Sequence, residues 1–187
     1  MLRPPFSQEP IPINDWDVIV IGAGAAGLMT CLELPSNLNV LLLNRNTSKA
    51  SSSRWAQGGI ASVIRQEDSF ELHAEDTLKA GDGLCDFQAV KMLVQEAPSC
   101  VDRLQNLGMI FDKSSDQLAT TLEAAHSRKR VLHVKDRTGR ALVEVLEDHV
   151  ENKKNILHCR GVRVTELLIE NEECKGVQVL DGANLYW

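Results

Sequence analysis

Hydrophobic and polar positions fall into blocks along the chain, and the blocks predict strands alternating with helices. Residues 16–21 (WDVIVI) form a nearly continuous apolar run, and residues 39–44 (NVLLLN) form a second one. Such runs are typical of strands that are buried on both faces of a parallel sheet. Residues 25–34, between them, predict a helix that ends near Pro35. The beginning of the chain therefore predicts a β-α-β unit.

Later blocks continue the alternation. Residues 44–59 are polar and rich in serine and glycine, which predicts a loop, and residues 112–130 predict a second irregular stretch. The predicted helices are a helix from Asp68 or Ser69 to Gly81, a helix over 86–108 that is kinked or broken at Pro98, and a helix over 139–152 that Asp136 or Thr138 could cap. Residues 155–187 predict strands with turns at ENEE and DGAN.

Length and element order predict the α/β fold class, with a parallel sheet followed by a β-meander. The 187 residues are enough for one domain with a genuine core. Four of the six prolines lie in residues 1–15, which we expect to be a flexible tail, with the domain over 16–187. The strand predicted at Val177–Leu180 lies within the meander, and no closing element follows Trp187. We therefore expect the fold to be incomplete at its C-terminus.

Charge and cysteine content exclude several classes of partner. The formal net charge of −6 argues against nucleic acid or an anionic membrane as the main partner. Arg128–Arg130 is the one dense basic run, and we interpret it as a solvated turn. The five cysteines have no metal-ligand spacing, which predicts reduced thiols, a cytoplasmic protein and no metal site. No apolar run of the length needed for a membrane span is present.

A glycine-rich turn follows the first predicted strand. Residues 22–27 (GAGAAG) satisfy the pattern G-x-G-x-x-G between a strand and a helix. Gly22 allows the tight turn, Gly24 lets a diphosphate approach the backbone, and Gly27 permits close contact between helix and strand. The free N–H groups of the helix N-terminus favour phosphate. The predicted ligand is a dinucleotide, bound by Gly22, Ala23, Gly24, Ala25, Ala26 and Gly27.

Two features argue against a plain nicotinamide enzyme. The second strand ends at Asn44–Arg45, where a carboxylate normally binds the ribose hydroxyls. A second glycine loop, SSSRWAQGGIA, follows. Gly58 and Gly59 would let the main chain approach a flat flavin ring, because they carry no side chain. Ser52, Ser53 and Gln57 can supply hydrogen bonds.

Four motifs together resemble a known family. GAGAAGL, AQGGIA, HAEDTLKAGDGLCD and HVKDRTGRAL look like the flavoprotein family of L-aspartate oxidase, succinate dehydrogenase and fumarate reductase, over residues 16–180. The resemblance implies the N-terminal part of a Rossmann-like FAD-binding domain, without the capping and C-terminal helical domains. The cofactor contacts that it implies are, beyond the first glycine turn, Asn44, Arg45, Ser52, Ser53, Arg54, Trp55, Ala56, Gln57, Gly58, Gly59 and Val164.

Two positions distinguish the members of this family. Ser52 occupies the place of the histidine that binds flavin covalently in succinate dehydrogenases, which implies non-covalent FAD. Glu123, His126 and Ser127 match the substrate motif E-G-G-H-S of aspartate oxidases, where dicarboxylate enzymes carry a phenylalanine instead of the glutamate. A carboxylate can balance the ammonium group of L-aspartate. The Gly-Gly of that motif is Ala124–Ala125 here, which would be strained if those positions need a positive φ.

The resemblance implies oxidation of L-aspartate to iminosuccinate, the precursor that quinolinate synthase uses toward NAD, with oxygen or fumarate reoxidising the flavin. It places the proton-transfer arginine downstream, so no catalytic residue is expected in this chain, and the chain alone is expected to be nearly inactive. A succinate dehydrogenase-like or fumarate reductase-like flavoprotein and a non-catalytic flavin-binding module remain as alternatives. His133, beside the basic run, is interpreted as structural.

Overall fold

The structure is a computed structural model that describes residues 2–3, 16–47, 51–181 and 184–186. Most of the predicted tail over 1–15 lies outside the described residues, but Leu2–Arg3 form a short strand. Contacts divide the chain into two compact units: unit 1 within Met1–Trp55 and Val143–Trp187, and unit 2 within Ala56–Leu142.

The described residues form the following elements. The helices are α1 (Ala25–Glu33), α2 (Ser52–Trp55), α3 (Phe70–Ala80), α4 (Phe87–Asn106) and α5 (Thr138–Glu151). The strands are β1 (Leu2–Arg3), β2 (Val18–Ile21), β3 (Val40–Asn44), β4 (Ile60–Ala61), β5 (Lys113–Ser114), β6 (Gln117–Leu118), β7 (Thr120–Thr121), β8 (Val131–Leu132), β9 (Ile156–Arg160), β10 (Val162–Glu170), β11 (Glu173–Asp181) and β12 (Asn184–Tyr186). Helix α5 begins in unit 2 and ends in unit 1.

A parallel sheet in the order β1-β9-β3-β2 is the centre of unit 1. The pairs β2–β3 and β3–β9 are both parallel, with Val18 opposite Val40 and Val40 opposite Ile156. Strands β2 and β3 are joined through α1, which confirms the β-α-β unit predicted from the two apolar runs. The carboxyl ends of β2 and β3 therefore meet at one edge of the sheet, where ligands bind in open parallel sheets.

The β-meander β10-β11-β12 follows the parallel sheet, as predicted. Asn171 and Glu172 link β10 to β11 with φ values of +51° and +64°, the two left-handed positions of a type I′ turn. One face of β3 and β9 packs against the meander through Leu41, Leu43 and Cys159. The predicted α/β class, with a parallel sheet and a β-meander, is confirmed.

Unit 2 contains the helix pair α3 and α4 and the antiparallel sheet β4-β8-β7. Ser69 caps α3 by accepting a hydrogen bond from the backbone of Leu72, as predicted, and Asp86 caps α4 in the same way through Ala89. The buried apolar side chains include Val90, Val94, Val101, Leu104, Met109, Phe111, Val131 and Leu132. None of the helices in the described ranges is long and apolar enough to cross a lipid bilayer.

Three local predictions were incomplete or wrong. The predicted loop over 44–59 contains the short helix α2. Helix α4 continues without a break through Pro98. The stretch over 112–130 contains the short strands β5, β6 and β7.

Candidate functional site

The glycine-rich turn lies between β2 and α1, in unit 1. Gly22 has a φ of +102°, and its backbone N–H donates to the carbonyl of Leu43 at 2.8 Å. This left-handed conformation requires glycine and directs the chain from the strand into the helix. A side chain at Gly27 would overlap the carbonyl oxygen of Gly22, so Gly27 is needed for α1 to pack on the turn. Both glycines therefore have the structural tasks that the sequence predicted.

Helix α1 begins without a side-chain cap. Gly24 occupies the cap position, and no acidic residue lies in the first turn. The hydroxyl oxygen of Ser53, from α2, instead accepts a hydrogen bond from the backbone N–H of Ala25 at 3.1 Å. An oxygen thus already occupies a position where a helix N-terminus attracts phosphate oxygens. A Cβ at Gly24 would lie 3.1 Å from the same hydroxyl. Because residue 24 is glycine, no side chain of its own covers this part of the turn.

An open cavity of about 490 Å³ lies at the carboxyl end of β2 and β3, within unit 1. The predicted cofactor residues among those that line it are Gly22, Ala23, Gly24, Asn44, Arg45, Ser52 and Val164. Asn46 and Arg163 also line it and were not predicted. None of the lining residues is acidic, and two are arginines, which suits a diphosphate. The resemblance implied Val164 and not its neighbour Arg163, and the pairing of β9 with β3 brings the chain that leads into both residues next to β3.

Helix α2 contains Arg54, which directly follows the three serines at residues 51–53. The Ser51 hydroxyl accepts a hydrogen bond from the backbone of Arg54 at 3.1 Å, which starts the helix. One terminal nitrogen of Arg54 (Nη2) binds Glu144 at 2.6 Å. The other (Nη1) is buried and has no hydrogen-bond partner within the described residues. A buried cationic donor without an acceptor is costly, but Arg54 does not line the cavity, where Arg45 and Arg163 are the cationic donors. The donor set of unit 1 therefore fits the diphosphate of FAD.

Residues 56–61 of the second glycine loop belong to unit 2, and the two glycines there differ. A side chain at Gly59 would overlap the carbonyl oxygen of Leu132 and the side chain of Val131, so Gly59 is needed for β4 to pack on β8. A Cβ at Gly58 would meet nothing within 4 Å. Ala56, Gln57 and Gly58 are exposed. Only Gly58 thus remains available for the role predicted for both, the close approach of a flat ring.

Glu123 is fixed by a histidine that the sequence had assigned to a structural role. Its Oε1 lies 2.9 Å from Nε2 of His133, and the Glu123 side chain is 43% exposed. The hydroxyl oxygen of Thr121 lies 2.7 Å from the same nitrogen. One oxygen of the carboxylate is therefore held by His133 within unit 2. Much of the side chain is exposed and available to a ligand.

Arg130 is buried and holds the rest of the predicted substrate segment (residues 123–127), which contains His126 and Ser127. Arg130 is fully buried and forms two hydrogen bonds with Asp68, at 2.7 and 2.8 Å, and one with Asp76 at 2.5 Å. Asp76 accepts from both the backbone N–H and the hydroxyl of Ser127, at 2.7 and 2.8 Å. Nδ1 of His126 lies 3.1 Å from Arg130. The interpretation of the basic run as a solvated turn is correct for residues 128–129 and wrong for Arg130.

This network shifts the ionisation of its members. Burial by itself raises the pKa of Asp76, but hydrogen bonds from Ser127 and Arg130 outweigh it and lower that pKa to about 2. Burial also opposes ionisation of Asp68, and the hydrogen bonds from Arg130 nevertheless lower its pKa. Burial, assisted by the charge of Arg130, lowers the pKa of His73, whose ring lies 5.7 Å from that of His126. Both aspartates are therefore ionised at neutral pH and fix the arginine.

The backbone of Ala125 is strained, as the sequence predicted for a position that needs a positive φ. Its φ is +67°, in the left-handed region, whereas Ala124 is not among the residues with a positive φ. An alanine in this conformation costs about 1 kcal/mol relative to the right-handed helical region. A cavity of about 390 Å³ beside it is lined by Asp76, Lys79, Ala80, Ala125, His126 and Ser127. Alanine replaces both expected glycines, and at position 125 it does so in a backbone conformation that favours glycine.

A parallel sheet with a bare glycine turn and an acid-free cavity at its carboxyl edge defines a dinucleotide-binding α/β domain. The FAD binding domain family matches residues 17–185. The chain belongs to this family, and FAD is its cofactor.

The chain is similar to curated and solved proteins of this kind. It is 47% identical to an L-aspartate oxidase of Nostoc over 184 residues, 97% of this chain and 32% of that protein. It is 46% identical to an L-aspartate oxidase of Synechocystis, over 89% of this chain and 30% of that protein. A quinol fumarate reductase structure (FrdA) from E. coli has the same fold, with a TM-score of 0.84 at 24% identity, over 89% of this chain and 29% of that chain. The chain spans about a third of the length of these relatives.

Proposed function

We propose that this chain is the FAD-binding portion of an enzyme that oxidises L-aspartate to iminosuccinate. The observation that carries the proposal is Glu123, whose carboxylate is held by His133 and is still 43% exposed. L-Aspartate differs from succinate by one ammonium group, which is costly to remove from water unless an anion meets it. The relatives named L-aspartate oxidase support the same assignment.

FAD would be held without a covalent bond. Its diphosphate fits the cavity of unit 1, at the glycine turn, Arg45 and Arg163. Gln57 and the backbone of Gly58 are the candidate contacts of the flavin ring in unit 2. Ser52 lines the cavity and has no nucleophilic nitrogen that could form the histidyl bond of succinate dehydrogenases. When bound, FAD supplies a two-electron acceptor for a hydride.

The residues of this chain bind and orient the substrate. Glu123 would contact the ammonium group of L-aspartate, and the Arg130 network would fix His126 and Ser127 near it. Conversion of L-aspartate to iminosuccinate removes a hydride equivalent from Cα and a proton from the nitrogen, and the residues of this chain would hold the substrate in place for that loss. Oxygen or fumarate would then reoxidise the enzyme. We further propose quinolinate synthase as the consumer of iminosuccinate, and the cytoplasm as the location, because none of the five cysteines forms a disulfide bond.

Cofactor binding can be tested on the 187-residue chain. Titration with FAD, followed by quenching of flavin fluorescence, should show saturable binding. Gly24→Ala should weaken it by at least about tenfold, or about 1.4 kcal/mol, because the methyl group covers the surface that a phosphate approaches. Gly176→Ala is the matched control, since its Cβ would make an ordinary 3.5 Å contact with Leu168. Equal affinity in both variants would exclude the turn as the diphosphate site.

Activity requires the remaining two thirds of the relatives' length. We would join this chain to the corresponding remainder of the Nostoc relative and measure oxidation of L-aspartate and of succinate. The joined protein should oxidise L-aspartate, and Glu123→Phe should lower kcat/KM for L-aspartate and favour succinate. Glu166→Gln, an exposed carboxylate on β10, is the control.

The same assay separates the alternatives. Succinate oxidation without L-aspartate oxidation in the unaltered joined protein would favour a succinate dehydrogenase-like enzyme. Bound FAD with neither activity would favour a non-catalytic flavin-binding module. Unchanged L-aspartate oxidation in Glu123→Phe would show that Glu123 does not contact the ammonium group.

A further inference from the structure

His133 lies at the point in unit 2 where the second glycine loop and the substrate segment come together. It directly follows β8, and its side chain is 17% exposed. Its Nε2 lies 2.9 Å from Glu123 and 2.7 Å from Thr121. The ring carbon next to Nε2, Cε1, faces the backbone of Gly59, where a Cβ would lie 2.9 Å from it. One imidazole thus contacts both segments to which the sequence assigns binding roles.

The hydrogen bonds around this ring determine which nitrogen carries the proton. Glu123 and Thr121 both face Nε2 of His133, and we assign the ring proton to this nitrogen, because an ionised carboxylate can only accept a hydrogen bond. The hydroxyl of Thr121 lies 3.4 Å from the carbonyl oxygen of Val131 and can donate to it, which leaves the hydroxyl oxygen to accept from the same N–H. A shared N–H of this kind is a common three-centre arrangement. The donor is present whether His133 is neutral or charged, so Glu123 stays fixed in both states.

We propose that His133 is a positioning residue that fixes the carboxylate of Glu123 for the ammonium group of the substrate and sets its distance from the second glycine loop. The proposal rests on the proposed oxidation of L-aspartate. Glu123 lies on an exposed segment, where a free glutamate side chain would populate several rotamers. The contact with His133 restricts Oε1 and leaves Oε2 for the substrate. If the substrate specificity depends on the carboxylate of Glu123, it therefore also depends on the ring of His133 that holds this carboxylate.

A purely structural role predicts a different outcome. If His133 only supported the packing of β4 on β8, its replacement would disturb every ligand of the site to a similar degree. If it fixes Glu123, the effect should fall on substrates with an ammonium group. Two substitutions separate these roles. His133→Phe keeps a flat ring against Gly59 and loses the donor, and His133→Gln keeps an N–H donor near the position of Nε2.

The functional test uses the joined protein, with FAD bound and with succinate as an inhibitor that lacks the ammonium group. His133→Phe should raise KM for L-aspartate by about tenfold or more, as expected for the loss of one hydrogen bond to a charged group. The inhibition constant of succinate should change less than about twofold, well below the effect of one such hydrogen bond. His133→Gln should restore most of the affinity for L-aspartate. His149→Phe, on α5, is the control.

A direct test uses the 187-residue chain alone. Nitrogen-15 NMR of the histidine side chains should show Nε2 of His133 protonated at neutral pH, and Glu123→Gln should shift this resonance and leave His149 and His158 unchanged. Absence of that shift would overturn the proposal independently of any activity. Equal changes in the constants for L-aspartate and succinate, or no change in either, would also overturn it. A joined protein that binds FAD without oxidising L-aspartate would instead reject the proposed function on which it rests.

Discussion

A buried histidine in the parallel sheet should make the stability of this protein fall in mild acid. His158 lies on β9 next to Leu42 of β3, and it is 1% exposed. Neither of its ring nitrogens has a hydrogen-bond partner among the described residues. Strand alternation places it on the face opposite to Leu157 and Cys159, which pack against the meander. Burial, together with the nearby charge of Arg160, lowers the pKa of His158 from 6.5 to about 4.

The size and sign of the effect follow from proton linkage. The unfolded chain binds a proton at His158 near pH 6.5 and the folded chain only near pH 4, so between these values the unfolded state holds more protons. The free energy of unfolding therefore falls as the pH falls through this window. A shift of this size corresponds to about 3 kcal/mol at pH 4 and to about 1.4 kcal/mol at pH 5.5. Above pH 7 the contribution vanishes.

Urea unfolding measured between pH 4 and pH 8 tests this linkage. His158→Leu replaces the ring with an apolar side chain of similar volume, so the stability of the variant should vary less with pH than that of the unaltered chain, by about the amounts given above. His73 is also buried with a lowered pKa, and the difference between the two chains removes its contribution. His149→Leu is the control and should follow the unaltered chain. Parallel pH profiles for His158→Leu and the unaltered chain would refute the assignment of a buried, neutral His158.

Three further predictions concern unit 2, and urea midpoints measure all of them. Ala125→Gly should raise the free energy of unfolding by about 0.5–1 kcal/mol, because glycine adopts a φ of +67° without strain. Ala124→Gly should lower the free energy of unfolding by a similar amount. Effects of the same sign would show that the backbone of Ala125 is not strained. Gly59→Ala should lower it by about 2 kcal/mol through overlap with β8, and Gly58→Ala should be nearly neutral; equal effects would reject this packing difference. Arg130→Met should cost about 3–5 kcal/mol, because two carboxylates lose their buried partner, and a loss under about 1 kcal/mol would show that the network does not hold the segment.

The sequence predicted best those elements that depend on local pattern. The apolar runs of β2 and β3 and the cap residue Ser69 each carry their signal within a few residues. Helix α2 has only four residues, too few to show a helical period, so the sequence predicted a loop there. Pro98 removes one backbone donor, yet α4 continues because Val94 and Val101 are buried on either side of it.

The site was predicted in part, and its missing members depend on contacts distant in sequence. Arg130 belongs to a basic run, which locally predicts solvent exposure, but its partners Asp68 and Asp76 lie 62 and 54 residues away. No local pattern can show that an aspartate before α3 and another within it meet one arginine. His133 was assigned a structural role for the same reason, because its contact with Glu123 depends on the pairing of β7 with β8.

The two glycines of the second loop show how the structure narrows a prediction that the sequence made in general terms. Absence of side chains at Gly58 and Gly59 suggested that both serve a flat ring. The β8 side of Gly59 is already filled by Leu132 and His133, so a ligand cannot approach the backbone there. The space at Gly58 is open, and the residue is exposed. A flavin ring bound by this loop therefore has to lie on the Gly58 side, and the ring of His133 closes the other side.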